Sequence, residues 1–190
     1  MITDRASYKY YLQRDLKAYQ IEKITLFKYC WMDCFRFQRR LRKIEFLNNV
    51  KRGNLFCKIY LVVLEIINHR LAIKLGLSIP KNVFGPGLCI VHYGTIVVSP
   101  MASVGENCRI HPSTSIGYYN GAPTIGNNVY IGPGAKLFGE ITIGDNVTIG
   151  ANAVVNRSFP NNITVGGVPA KIISNKSSIE NDVFPEGLIN

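Results

Sequence analysis

The sequence predicts an α+β chain with a helical first part and a parallel β-helix after it. Two observations lead there. Residues 1–75 hold a single glycine, Gly53, and no proline, and their apolar residues fall three and four apart. After Gly76 glycine and proline become frequent, and an apolar residue returns at every sixth position. That period fits neither an α-helix nor a meander. It fits short strands joined by tight turns, each strand sending one side chain to a common axis.

The helical part comes first, and three or four helices are expected in it. "LFKYCWMDCFRFQRRLRKIEFL" mixes apolar and basic residues at helical spacing, as an amphipathic helix does. Gly53 and Asn54 interrupt the pattern, and a further helix is expected from about Leu55 to Leu75. Lys58, Glu65, His69 and Arg70 break its apolar run, so it is read as packed on protein and not as a membrane span. The first twenty residues carry charges throughout and lack a central apolar run, so no signal peptide is expected.

The β-helix is expected over residues 76–174. Its beat is carried by Phe84, Ile90 and Ile96, then Val104, Ile110 and Ile116, then Ile125, Ile131, Leu137, Ile143, Ile149 and Val155. Glycine often follows the beat and lets the chain turn. Four places after it stand small or β-branched residues such as Thr114, Val129, Ala135, Val147 and Ala153, suited to an interior corner. Each coil buries its face only on its neighbours, so the run must be long to be stable. The beat slips between Ile96 and Val104 and again between Ile116 and Ile125, across "GYYNGAPT". Extra residues in a solenoid leave it as loops, where binding groups collect. Residues 175–190 read as a C-terminal tail.

Charge divides the chain in the same place. The net charge is +10. Residues 1–75 hold 16 Lys and Arg against 6 Asp and Glu, and residues 76–190 hold 6 of each. The basic helices are expected to form a packed cap and oligomer contact. Peripheral contact with anionic membrane at the inner face is the second reading, and no nucleic-acid binding is expected. The five cysteines, Cys30, Cys34, Cys57, Cys89 and Cys108, are irregularly spaced. They read as packed thiols of a cytoplasmic protein and not as a metal set.

"IGNNVYIGPGAKLFGEITIGDNVTIGANAVV" followed by "VGGVPAKII" resembles the hexapeptide-repeat acyltransferases. "GPGLCIVHYGTIVVSPMASVGENCRI" resembles their serine acetyltransferase branch, which includes O-acetyltransferases of capsule and exopolysaccharide synthesis. The resemblance covers about residues 78–174. It implies a left-handed β-helix, a homotrimer with active sites between subunits, and transfer of acetyl from acetyl-CoA to a hydroxyl without a metal. Pairing of trimers through the N-terminal helices is a further expectation.

The resemblance places the catalytic imidazole on His92. An alcohol is almost un-ionised at neutral pH, so a general base is the first requirement, and neutral imidazole suits it. Direct attack on the thioester is expected, since no cysteine has a nucleophile's context. For CoA the alignment implies Pro133, Ala135, Lys136, Ala151 and Asn152, with Lys171 toward the phosphates. His111 is expected to be structural or a groove residue, and His69 a surface or capping one. The branch has an acid that orients its histidine. The matching position here is about Leu77, and Val91 stands where the branch has an Asp before the histidine. Free serine is a zwitterion and calls for charges, and the loop with Tyr118, Tyr119 and Asn120 offers none. The expected acceptor is therefore a hydroxyl of a sugar or polysaccharide precursor. Serine O-acetylation in cysteine biosynthesis and a non-catalytic trimeric scaffold are the alternatives.

Overall fold

The structure is a computed structural model that describes residues 1–50 and 55–189. The predicted break at Gly53 and Asn54 lies outside the described residues. Four helices precede the β-helix: α1 (Arg5–Ala18), α2 (Leu26–Trp31), α3 (Asp33–Asn49) and α4 (Leu55–Leu75). Asp4 caps α1, its carboxylate accepting from the Ser7 N–H at 2.7 Å while the Ser7 hydroxyl accepts from the Asp4 N–H. The helix expected across residues 26–47 is two helices. Met32, with ψ of 80°, leaves helical geometry between them. Arg36 ties the junction by donating to the Cys30 carbonyl at 2.8 Å and pairing with Asp33.

The β-helix has three faces, carried by sheets of three, six and five strands. Neighbouring strands run parallel until the last pair, where Gly166 meets Lys171 in antiparallel register. All twelve beat residues are buried, as are the small residues Thr114, Val129, Ala135, Val147 and Ala153 at the corners.

The register moves one of the two slips. Val98 pairs with Ile116, which pairs with Leu137, whereas Ile96 pairs with the corner residue Thr114. The rung that follows Ile90 is therefore Val98, and the two extra residues fall between them. In the lower coils only three residues separate the rung from the corner residue: 111–113, 132–134 and 150–152. In the first coil there are five, residues 91–95. The longer turn carries His92. The second slip stays where the sequence puts it, and Tyr118, Tyr119 and Asn120 are exposed there.

A column of asparagines lines one corner. Asn107 donates to Asn128 at 2.7 Å, Asn128 to Asn146 at 2.8 Å and Asn146 to Asn162 at 2.8 Å. All four have φ between 55° and 60°, a left-handed conformation that asparagine tolerates. Arg14 of α1 donates to Asn107 at 2.7 Å and closes the column from above.

The helices sit over the first coil through one fully buried arginine. Arg42 donates to Asp15 Oδ2 at 2.9 Å, Glu45 Oε2 at 3.1 Å, the Phe84 carbonyl at 2.9 Å and the Gly85 carbonyl at 2.6 Å. Burial opposes its charge, but the Asp15 and Glu45 carboxylates raise its pKa further. The same carboxylates accept from the backbone N–H groups of Gly87 and Asn82. The tail runs back along the β-helix. Ser178 bonds to the carbonyls of Asn128 and Asn146, and Arg14 and Lys17 hold the Leu188 and Gly187 carbonyls.

Candidate active site

The five-residue turn lifts His92 and Tyr93 out of the β-helix, and both are exposed. Neighbours above, below and beside fix the turn. The Gly94 N–H donates to the Leu75 carbonyl at the end of α4, at 2.9 Å. Gly94 has φ of 140°, and a Cβ there would lie 2.9 Å from Pro112 of the next coil, so glycine is required. On the open edge above the turn, the Tyr19 hydroxyl accepts from the Ile90 N–H at 3.0 Å and lies 3.1 Å from the Ile90 carbonyl. Tyr19 thus satisfies both backbone groups of the rung two residues before His92.

The α2–α3 junction closes a cavity of about 240 Å³ beside the turn. Its wall includes Trp31, Asp33, Tyr19, Tyr93 and His92. Asp33 brings a carboxylate to the wall of the same cavity from another element, where it is paired with Arg36. Leu77, by contrast, is buried and pairs with Ile96, so no acid stands behind the histidine there. Among the described residues, none hydrogen-bonds to the His92 imidazole. Asp33, Trp31 and Tyr19 were missed in the sequence because each reaches the turn only through helix packing.

His111 lies one coil below, its ring 4.9 Å from that of Tyr130. Among the described residues its Nε2 is buried without a partner. Burial first, then the charges of Arg109 and His92, lower its pKa. His111 therefore stays neutral near His92 and adds no positive charge there at neutral pH.

The expected CoA residues divide. Pro133, Ala151 and Asn152 are exposed at the same corner as His92, in coils below it. Lys136 reaches that corner and donates to the carbonyls of Ser113 and Gly134. The side chain of Ala135 is fully buried and fills the interior corner, which leaves only its backbone to face the slot. Lys171 is exposed on the last strand. Tyr118, Tyr119 and Asn120 lie at a different corner of the coil, so the loop and His92 do not meet within one subunit. Among the described residues no cluster of His, Cys, Asp or Glu is arranged to hold a metal ion.

Residues 122–157 match the family model of the bacterial transferase hexapeptide, six repeats. A serine acetyltransferase of Synechococcus elongatus is 37% identical over 118 residues, 59% of this chain and 48% of that protein. The chain spans about half the length of the curated relatives it matches. Serine acetyltransferase from Brucella abortus, solved with coenzyme A, superposes with a TM-score of 0.70 at 28% identity, covering 91% of this chain and 70% of that one. Neisseria gonorrhoeae serine acetyltransferase, solved with serine, gives 0.70 at 27% identity, covering 90% and 70%. In its repeat, its β-helix and the helices set before it, the chain is similar to these serine acetyltransferases.

Proposed function

We propose that the chain is an acetyl-CoA-dependent O-acetyltransferase with His92 as its general base. The observation that carries this reading is the lengthened turn. It alone among the corner turns puts an imidazole outside the β-helix, above the exposed turns of Pro133 and Asn152 and beside a cavity. The acceptor hydroxyl gives its proton to His92 as its oxygen attacks the thioester carbonyl. The tetrahedral intermediate then expels the CoA thiolate, which takes the proton back from the imidazolium and leaves as the thiol. Direct attack is favoured because burial pushes the Cys34 and Cys89 thiols up to about 11, too high for a ready nucleophile.

The names of the relatives favour serine as acceptor over the sugar hydroxyl suggested by the loop at residues 118–120. Asp33 on the cavity wall supports serine too, provided that an ammonium group shares its carboxylate with Arg36. A sugar acceptor remains the second reading, favoured by the uncharged Tyr118, Tyr119 and Asn120. The separation of that loop from His92 within one subunit supports a homotrimer with shared sites, and trimers pairing through the helices would form a hexamer. The reading places the chain in the cytoplasm, where acetyl-CoA is made and used. Thiol release from acetyl-CoA, measured with L-serine and then with free and nucleotide-linked sugars, tests it. Turnover with L-serine that disappears in His92→Ala is expected. A folded chain that binds no acetyl-CoA and turns over none of these acceptors would instead be a scaffold.

A further inference from the structure

We propose that the first three turns of α4 dock on an anionic bilayer surface. The buried side of this helix is short and lies toward its end, at Asn68, Leu71, Ala72 and Leu75. The opposite side is apolar and uncovered. Leu55, Ile59, Val62 and Ile66 form one exposed row at alternating steps of four and three. Phe56, Tyr60, Val63 and Ile67 form a second row beside it, with Phe56 82% exposed. Eight large apolar side chains on adjacent rows exceed the scattered exposure of an ordinary surface.

The rows end in charge. Arg70 and Lys74 continue them along the same side of the helix, and both are exposed. Neither meets a carboxylate among the described residues. An apolar stretch bounded by free basic side chains matches an interface in which acyl chains give way to anionic headgroups. The helix is not long and apolar enough to cross a membrane, so the contact is peripheral.

A second copy of the chain is the competing occupant, and two features disfavour it. A helix pair needs one narrow seam, and here two rows are open. Arg70 and Lys74 are exposed on this face of α4, so two copies apposed through it bring like charges together while an anionic surface attracts them.

Flotation of the full chain with phosphatidylcholine vesicles, with and without phosphatidylglycerol, tests the proposal. Binding is expected only with phosphatidylglycerol and should weaken in salt. Ile59→Asn with Val63→Asn should reduce it at least about ten-fold. Arg70→Ala with Lys74→Ala should reduce it roughly 25-fold, about five-fold per charge. Circular dichroism should match the parent for both variants, and the charge variant leaves the apolar rows intact if the first misfolds. Absence of binding, or equal binding to neutral vesicles, overturns the proposal. So does a particle mass that falls in Ile59→Asn with Val63→Asn, which assigns the surface to a second copy.

Discussion

Replacing Arg42 with methionine tests what holds the helices on the β-helix. Methionine keeps much of the aliphatic volume and removes the charge. The change deletes ion pairs to Asp15 and Glu45 at 2.9 and 3.1 Å and leaves the Phe84 and Gly85 carbonyls without their donor. Asp15 and Glu45 are fully buried, so their charges are left with fewer partners and no water. Breaking a buried pair from one side costs about 3–5 kcal/mol, or about 6–20 °C in melting temperature for a chain of this size. Calorimetry measures the loss. Adding Asp15→Asn and Glu45→Gln to Arg42→Met should recover part of the loss, because the uncompensated charges are gone. A single variant as stable as the parent, or a triple variant no better than the single, would refute the reasoning.

Three other outcomes are expected. Tyr19→Phe should cost about 1–3 kcal/mol, because the Ile90 N–H loses its acceptor. It should also lower kcat roughly ten- to hundred-fold through a displaced His92 turn, and an unchanged kcat speaks against Tyr19 as a positioning residue. His111 has a lowered pKa, so its contribution to stability is complete above the ordinary value of about 6.5 and is lost as pH falls through the lower folded value. Melting temperatures between pH 7.5 and 5 should fall less steeply in His111→Gln, and identical slopes would exclude His111 as the source. Asp33→Asn should raise KM for an ammonium-bearing acceptor more than for acetyl-CoA, and steady-state kinetics with each substrate varied checks this.

The β-helix was legible because its period is local: most rungs are six residues from the next, and all twelve beat residues are buried. The asparagine column was legible in part: Asn107, Asn128 and Asn146 each fall three residues after a beat residue, whereas Asn162 falls three after Phe159, which pairs with Ile143 but stands off the beat. The slip near His92 was misplaced because Ile96 is apolar and keeps the step. Only strand pairing shows that it takes a corner position and that Val98 is the rung. His92 was found through resemblance, whereas Asp33, Tyr19 and Arg42 act across 50 or more residues or through helix packing. Such contacts leave no periodic trace in a single sequence. The break at Met32 has the same origin, for an apolar residue at helical spacing gives no stop signal.

The asparagine column also sets where the coil can change length. Its amides bond from coil to coil, so an inserted residue at that corner would separate two rungs and cut the column. The other two corners carry no such column, and the two lengthened turns, at residues 91–95 and 118–123, occur there. The fold therefore has one seam of fixed gauge and two edges open to insertion. New loops grafted at residues 91–95 or 118–123 should leave the stacking intact, whereas a one-residue insertion beside Asn128 should disrupt it.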